Sequence, residues 1–125
     1  MKRLPREFRP VFRYRLVDGK VADTKILDGA LWKERGVVYA RVCNKVILYI
    51  GKTDGRISTR IGSHLRRYLH QPQNALYRDH IKQNLVTIYA YKPKTTRLFD
   101  LDIDLHSGVE AALIKAIKPR FVKRI

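Results

Sequence analysis

Residues 36–50, GVVYARVCNKVILYI, decide the fold because they predict a β-hairpin in the middle of the chain. Two runs rich in valine, isoleucine and tyrosine, at 36–43 and 46–50, flank the dipeptide Asn44-Lys45. Runs of this composition around a short polar connection are typical of paired antiparallel strands. The hairpin leads directly into Gly51-Lys52-Thr53, which has the letters that end a nucleotide-binding P-loop.

The rest of a P-loop is missing around these letters. The motif requires its first glycine at the position that Val46 occupies, and this glycine lets the backbone amides wrap a phosphate. A helix should also follow at once, whereas Asp54-Gly55 predicts a further turn. We therefore exclude a P-loop NTPase and expect no nucleotide cofactor.

The length of the chain, 125 residues, is that of one small domain. We expect a single domain over residues 1–125, with residues 1–35 as an N-terminal β extension. No stretch approaches the roughly 18 apolar residues of a transmembrane helix, and the basic start lacks the apolar core of a secretory signal. The single cysteine, Cys43, excludes an intrachain disulfide and a multi-cysteine metal cluster. These features predict a cytoplasmic protein.

The charge of the chain indicates a polyanionic partner. There are 27 Lys and Arg against 11 Asp and Glu, which gives a net charge of +16. Two acid-free segments, residues 55–78 and the chain after Glu110, concentrate the positive charge. A basic balance of this size is the electrostatic signature of nucleic-acid binding, so we expect a nucleic acid as the partner.

The hydrophobic periodicity predicts an α+β domain, with a small antiparallel sheet flanked by helices. The predicted helices cover 56–69, 74–84 and 107–118, the last of them ended by Pro119. The predicted strands outside the central hairpin are 8–17, 21–27, 85–91 and 97–105. In the first strand, Phe8, Phe12, Tyr14 and Leu16 alternate with arginines, and Asp18-Gly19-Lys20 forms its turn.

Several polar residues fall in a characteristic order along the chain. Tyr39 ends "VVY", and Tyr49 begins "YIG" ten residues later. Arg60 and His64 follow at helical spacing, and Glu110 precedes the closing segment "KPRF". This order, over residues 36–122, resembles the GIY-YIG nuclease superfamily. The chain departs from the family pattern at Val37, where the family has glycine, and at Val122, where it has asparagine. Arg60 also stands one residue later than in many members.

The resemblance is greatest to the compact restriction-enzyme and phage-endonuclease branch. It implies a DNA endonuclease that has double-stranded DNA as its partner, depends on a divalent metal ion and leaves 5′-phosphate and 3′-hydroxyl ends. It also implies the catalytic residues, which are Tyr39, Tyr49, Lys52, Arg60, His64 and Glu110. A homodimer or higher homo-oligomer is expected, since one site cuts one strand.

Glu110 is the candidate metal ligand, for Mg²⁺ or Mn²⁺. On a helix it shares a face with Leu113 and Ile117, where a carboxylate is costly unless it is paired or metal-bound. A single carboxylate leaves most of the ion's shell to water and phosphate oxygens, as Mg²⁺ prefers. The alternative is a capping box, in which Ser107 caps the helix and Glu110 reaches back to the cap amide.

Tyr39 and Tyr49 are both candidates for the general base, and the sequence leaves open which of them acts. A phenol has a pKa of about 10, so we expect Lys52, Arg60 and a metal ion to lower it. In a regular hairpin, residues ten apart share a face only if the loop has an odd number of residues. A two-residue loop would put the tyrosines on opposite faces.

The remaining candidates are cations. Arg60 and His64 lie four residues apart on the predicted helix, beside an apolar stripe of Ile57, Ile61, Leu65 and Tyr68. A guanidinium there can hold two phosphate oxygens, and His64 can relay a proton. The expected nucleic-acid contacts are Arg56, Arg66, Arg67, Lys118 and Arg120.

Two further interpretations stay open. A non-catalytic basic nucleic-acid-binding protein, or a degenerate inactive nuclease, would have the same charge.

The three aspartates of "DLDID" at 100–104 fail the calcium-loop pattern, so a solvated strand edge is expected there. For the dimer, the expected surface combines residues 8–27 with residues 85–105, with aspartates of one copy pairing arginines of the other.

Overall fold

The computed structural model describes residues 3–121 and has a five-stranded antiparallel sheet of strand order β2-β1-β5-β3-β4. Its strands are β1 (Arg9–Val17), β2 (Lys20–Ile26), β3 (Arg35–Cys43), β4 (Val46–Arg56) and β5 (Val86–Tyr91). A separate two-stranded hairpin consists of β6 (Thr96–Leu98) and β7 (Leu101–Ile103). The predicted α+β class is confirmed. The N-terminal ribbon, expected as an extension, supplies two of the five strands of the main sheet.

Helices cover both faces of this sheet. They are α1 (Gly29–Trp32), α2 (Ile57–Ser63), α3 (Ala75–Ile81) and α4 (His106–Ile117). A π-helical turn, His64–Tyr68, continues α2, and a short 3₁₀ turn, Pro72–Asn74, precedes α3. Apolar residues of α2 and α3 join one buried cluster, while Leu113 of α4 joins a second cluster on the opposite face. Among residues 3–121, no helix is long and apolar enough to span a membrane.

A β-bulge in β1 changes which residues share a face. Val11 is inserted between Pro10, opposite Tyr89, and Phe12, opposite Ile88. As a result Phe8 packs in the cluster under α4, whereas Phe12 packs in the cluster under α2. The uninterrupted alternation predicted for residues 8–17 is therefore wrong at Val11.

The same packing corrects the expected dimer surface. Phe8, Phe12 and Tyr14 are all buried in the chain's own core, so they offer no exposed apolar area. Two of the arginines expected to reach a partner's aspartates pair within this chain, Arg9 with Asp28 and Arg15 with Asp23. The ribbon at residues 8–27 is thus occupied by internal contacts.

The central hairpin forms as predicted, with the two-residue turn Asn44-Lys45. Both turn residues have positive φ, 50° and 64°, which is the backbone of a type I′ turn. Strand β4 then runs without interruption to Arg56. Because Gly51-Lys52-Thr53 lies inside an extended strand paired with β3, it does not form a phosphate-wrapping loop. The exclusion of a P-loop is confirmed.

The helix predicted over residues 56–69 forms in two parts. Ile57 and Ile61 are buried as expected, but the π-helical turn adds a residue to the winding after Ser63. His64 and Leu69 are consequently the next buried positions, and Tyr68 is exposed. The predicted stripe therefore holds to Leu65, which packs partly buried against the same core, and is wrong at Tyr68, because it assumed a constant α-helical period.

The strand predicted over residues 97–105 is a tight hairpin, β6–β7. Phe99 and Asp100 occupy its turn with φ values of 55° and 60°. The segment contains no glycine, proline or asparagine, the residues that usually signal such a turn, so the chain reversal was missed. The three aspartates lie on or just beyond this exposed hairpin, which agrees with the solvated edge expected there.

The C-terminal segment is attached to the turn end of the central hairpin. Helix α4 ends at Ile117, and the left-handed conformation of Lys118 follows it, before Pro119. The amides of Arg120 and Phe121 donate to the carbonyl oxygens of Ile47 and Leu48, at 3.2 and 2.8 Å. Val122, where the family pattern has asparagine, lies outside the described residues.

Candidate active site

The two candidate tyrosines lie on the same face of the sheet, although their hairpin has a two-residue loop. Leu48 is an extra residue in β4, so Arg41 stands opposite Tyr49 while Val42 stands opposite Ile47. This bulge reverses the parity that a regular hairpin would impose. The ring centroids of Tyr39 and Tyr49 are 6.1 Å apart at 45°. The expectation of opposite faces for a two-residue loop is wrong here because the strand is not regular.

Gly51 is the residue that lets the two rings converge. It pairs with Tyr39 across the β3–β4 ladder. A Cβ at this position would stand 2.7 Å from Cε2 of Tyr49 and 2.8 Å from the Tyr39 hydroxyl oxygen. Such separations are far inside van der Waals contact, so only glycine fits between the rings.

Helix α2 places Arg60 above the tyrosines. Burial of Ile57 and Ile61 on the core side anchors the helix on the sheet. Arg60 Nε donates a hydrogen bond to the Tyr39 hydroxyl oxygen at 3.3 Å. A cation at this point can orient the phenol and also face an anionic substrate.

An open cleft of about 310 Å³ lies beside this pair. It is lined by Tyr49, Lys52, Thr53, Asp54, Arg60 and Glu110. Glu110 comes from α4, which packs against β3 and β4. The structure thus brings four of the six predicted catalytic residues to one cleft, with Tyr39 bonded to Arg60 directly behind it.

The capping-box alternative for Glu110 does not hold. Helix α4 begins after Leu105, which makes no side-chain capping bond, and Ser107 lies within the helix. Glu110 is half-buried and lines the cleft. Its side chain is therefore available to a ligand in the cleft.

A contact that the sequence did not indicate holds the start of α4 against β4. Nε2 of His106, a buried residue, lies 2.5 Å from Oδ1 of Asp54. The hydrogen bond from His106, with the nearby Lys52, lowers the pKa of the Asp54 carboxyl. Because Glu110 lies one helical turn beyond His106, this contact positions the carboxylate of Glu110 over the cleft.

The electrostatic environment of Tyr49 differs from the expectation. Burial, followed by the neighbouring Tyr39 phenol, raises the pKa of Tyr49 above its usual 10.0, while Arg41 and Arg60 act in the opposite direction. The sequence predicted a lowered value from adjacent cations and a metal ion. In the protein alone, the desolvation of the phenol outweighs the two arginines.

Arg41, one of these two arginines, was not predicted as a site residue from the sequence. It is 1% exposed and shares the sheet face of Tyr39 and Tyr49, with its guanidinium carbon 5.9 and 5.3 Å from their ring centroids. The third ring around it belongs to Tyr77, at 5.9 Å. The sequence did contain a signal for it, because Arg41 falls at period-two spacing with the apolar residues of one face of β3. In a central strand, such a position indicates a buried cation.

His64 contacts this buried arginine and does not line the cleft. Its Nε2 lies 2.8 Å from Nη1 of Arg41, and its ring packs edge-on against Tyr77. The π-helical turn directs His64 toward the core, whereas an α-helix would have put it in line with Arg60. If His64 contributes to catalysis as predicted, it would therefore do so through Arg41, from behind the tyrosines.

Comparison with known proteins identifies the fold. No protein-family model and no curated protein matches the sequence. A mutant of bacteriophage T4 EndoII has a TM-score of 0.66 and 22% identity, covering 91% of this chain and 90% of that chain. Restriction endonuclease Hpy188I in complex with product DNA has a TM-score of 0.52 and 17% identity, covering 90% and 76%. The chain has the fold of these endonucleases. The predicted resemblance to phage and restriction nucleases is thereby confirmed for the fold.

Within this endonuclease fold, the cleft suits a hard divalent cation. No cluster of three or more acidic, histidine or cysteine side chains within residues 3–121 is arranged to hold a metal ion. The cleft instead offers the carboxylates of Glu110 and Asp54. Such a sparse oxygen donor set fits Mg²⁺ or Mn²⁺, which keep several water molecules and complete their shells with substrate phosphates.

The expected nucleic-acid contacts of the endonuclease fold fall on two surfaces. Arg56 ends β4, and Arg66 and Arg67 lie exposed on the π-helical turn. Lys118 and Arg120 are exposed beyond α4. Arg120 lines a separate depression with Leu76 and Phe121, so it is not part of the cleft.

Proposed function

We propose that this protein is a divalent-metal-dependent DNA endonuclease of GIY-YIG type, which hydrolyses phosphodiester bonds to leave 5′-phosphate and 3′-hydroxyl ends. The observation that carries the proposal is the cleft in which Tyr49, Lys52, Arg60 and Glu110 converge beside Tyr39. The fold similarity to EndoII and to Hpy188I, the latter in complex with product DNA, supports it. So does the net charge of +16.

Each cleft residue has a role that its chemistry supports. Glu110 would hold Mg²⁺ or Mn²⁺, which when bound supplies charge neutralisation at the phosphoryl and leaving oxygens. Arg60 bonds Tyr39 through Nε, and its terminal nitrogens suit contact with phosphate oxygens, where negative charge grows in the transition state. Lys52 adds a second positive charge at the scissile phosphate.

A tyrosine would act as the general base. As a phenolate, either Tyr39 or Tyr49 would accept a proton from water as the water oxygen bonds to phosphorus, which leaves a neutral phenol. The bond from phosphorus to the 3′-oxygen then breaks, and this oxygen takes up a proton from solvent. For a phenol to accept a proton near neutral pH, its anion must be stabilised by adjacent cations. Arg41 and Arg60 favour the anion at Tyr49, but burial outweighs them in the protein alone, so a bound divalent cation would have to supply the remaining stabilisation.

Plasmid cleavage tests the proposal. Wild-type protein is incubated with supercoiled plasmid in Mg²⁺, in Mn²⁺ or in EDTA, next to the variant Glu110→Gln. We expect cleavage by the wild type in either metal ion, and none in EDTA or with Glu110→Gln. The control Glu34→Gln removes an exposed carboxylate outside the cleft and should cleave normally.

The outcome also separates the alternatives. Cleavage that persists in EDTA or with Glu110→Gln would overturn the metal mechanism. Tight plasmid binding without cleavage in any metal ion would instead indicate a non-catalytic binding protein or an inactive nuclease. Parallel reactions with structured RNA test the choice of DNA.

Two broader expectations belong to the same proposal. One cleft with one metal position cuts one strand, so double-strand cleavage requires a homodimer or higher homo-oligomer. We also propose that the protein acts as a single domain in the cytoplasm, where nucleic acid is accessible.

A further inference from the structure

The β6–β7 hairpin projects large apolar side chains into solvent. Phe99, at its tip, is 84% exposed, and Leu98 and Leu101 beside it are 50% and 60% exposed. The hairpin forms its own two-stranded sheet outside the main sheet. An isolated two-stranded hairpin is only marginally stable in water. A contact that covers its exposed aromatic tip would therefore stabilise the hairpin and bury the apolar surface.

The hairpin is acidic, although the chain is strongly basic. It carries Asp100, Asp102 and Asp104 against a single arginine, Arg97, which pairs with Asp102 at 3.2 Å. The ion pairs found within residues 3–121 include neither Asp100 nor Asp104. Asp100 lies next to Phe99 in the turn and Asp104 just beyond β7, and these two carboxylates disfavour a nucleic-acid partner and favour an apolar pocket with a cationic rim.

The chain itself has such a pocket, at the turn end of the central hairpin. This depression of about 410 Å³ has apolar walls of Leu4, Val42, Ile47 and Tyr89. The other residues that line it are Arg3 and Lys45, both exposed and both basic. Its apolar walls and basic rim therefore complement an exposed aromatic side chain on an acidic hairpin.

The pocket and the hairpin lie toward opposite ends of the molecule. Val42 and Ile47 flank the Asn44-Lys45 turn, whereas β5 leads to the hairpin from Tyr91, which pairs with Val38 near the other end of β3. The exposure of Phe99 shows that it does not occupy its own chain's pocket.

We propose that the β6–β7 hairpin docks into the Leu4–Val42–Ile47–Tyr89 pocket of a second copy of this chain. Phe99 fills the apolar pocket, and Asp100 and Asp104 face Arg3 and Lys45 of the partner copy. Reciprocal docking buries both hairpins and closes a two-fold dimer. The contact goes beyond the proposed nuclease activity, because it requires no catalysis.

Light scattering on purified protein tests the contact. At about 0.15 M salt, where the Debye length is about 8 Å, distant charges are screened and contacts dominate. We expect the wild type to show a mass that rises with concentration above the 14.7 kDa of one chain. Phe99→Ser should hold the mass at one chain without changing the thermal midpoint of dilute protein. The control Leu76→Ser alters a residue that is also exposed, at 75%, in α3 and should associate like wild type.

Charge reversal tests which surfaces meet. One variant combines Asp100→Lys with Asp104→Lys, and a second combines Arg3→Glu with Lys45→Glu. A dimer of either variant alone would bring like charges together in both of its contacts, so each variant should remain monomeric. In a mixture of the two variants, a mixed dimer has opposite charges in both contacts, one of them reversed and the other as in the wild type. We therefore expect association to return.

The results that overturn the inference are distinct from those that overturn the nuclease proposal. A wild-type mass of one chain at all concentrations, or unchanged association of Phe99→Ser, sinks the docking contact whatever the cleavage assay shows. If Asp100→Lys/Asp104→Lys binds or cleaves DNA differently from the wild type without any change in mass, the hairpin contacts nucleic acid instead. If both proposals hold, Phe99→Ser should nick plasmid and lose double-strand cutting.

Discussion

Gly51 lies directly across the β3–β4 ladder from Tyr39, with Tyr49 leaning over the same point from two residues earlier in β4. A single methyl group on Gly51 would reach within 2.8 Å of the Tyr39 hydroxyl oxygen and 2.7 Å of the Tyr49 ring. Both rings are in the core and hold Arg41 between them and Tyr77. The geometry of the candidate base therefore depends on the absence of a side chain at position 51.

The first prediction concerns this glycine. Gly51→Ala should force the tyrosine rings apart, destabilise the fold by about 1–3 kcal/mol, and reduce cleavage by about a hundredfold. The control Gly108→Ala introduces the same methyl group in α4, where nothing lies within 4 Å. It should stabilise the helix by about 0.5–1 kcal/mol and leave cleavage intact. Urea unfolding and plasmid cleavage measure both, and wild-type cleavage by Gly51→Ala would contradict the role of the two rings.

The second prediction separates the two tyrosines. Tyr39→Phe removes the hydroxyl that accepts from Arg60, and if Tyr39 is the base, cleavage should fall at least about a hundredfold with DNA affinity unchanged. Tyr49→Phe should then have a smaller effect, and Tyr91→Phe, outside the cleft, none. Single-turnover cleavage and equilibrium binding give the comparison. Near-normal turnover by Tyr39→Phe would transfer the role to Tyr49.

The third prediction concerns how DNA is held. Arg66 and Arg67 are exposed on the π-helical turn next to the cleft helix. Reversing both to glutamate should weaken DNA affinity and flatten the log–log salt dependence by about one unit for each lost phosphate contact. The same reversal at Lys20 and Lys25, on the edge strand β2, should change the slope less. An unchanged slope for the arginine variant would show that this turn does not face DNA.

The fourth prediction is an alkaline loss of stability. Burial raises the pKa of Tyr14 well above 10.0 and also raises that of Tyr77, and the two hydroxyl oxygens are 2.7 Å apart. Because the folded state keeps these protons longer than the unfolded state, the stabilisation is complete below pH 10.0 and declines above it. Each phenol can contribute a slope of up to about 1.4 kcal/mol per pH unit.

Chemical unfolding between neutral and alkaline pH measures this slope. The double variant Tyr14→Phe/Tyr77→Phe removes both phenols together and should fall less steeply above pH 10.0 than the wild type. Tyr77→Phe leaves the buried Tyr14 hydroxyl without its partner and should lose about 1–3 kcal/mol already at neutral pH. Tyr14→Phe should lose less, because the Tyr77 hydroxyl keeps its hydrogen bond with Arg41. Equal alkaline slopes for wild type and double variant would show that other groups control the transition.

The elements that the sequence predicted are those set by nearby residues. The alternating run before Asp18-Gly19 and the apolar runs around Asn44-Lys45 gave both hairpins, because turn chemistry and period-two patterning act over a few residues. Helix α4 was likewise predicted from its apolar spacing and from Pro119. The four cleft residues Tyr49, Lys52, Arg60 and Glu110 were identified from their order along the chain.

Apart from the missed β6–β7 turn and the pKa of Tyr49, the errors concern the direction in which a side chain points. The bulges at Val11 and Leu48 shift residues from one sheet face to the other, and they exist because of how β1 pairs with β5 and β4 with β3. The π-helical turn moves His64 from the expected phosphate row to the core. Arg41 reads as a polar strand residue until β3 is known to be central and covered by α2.

The sequence by itself determined the charge, the α+β class, the order of the main elements and the residue types that can carry phosphodiester chemistry. Only the tertiary structure decided that Tyr39 and Tyr49 share a face, that Glu110 and Arg60 meet in one cleft, and that His64 lies behind it. It also showed that Phe12 and Tyr14 are internal, while Phe99 is left exposed. The division has one physical cause. Secondary structure and charge follow from interactions between neighbours in sequence, whereas facing and burial depend on strand register and on packing between distant segments.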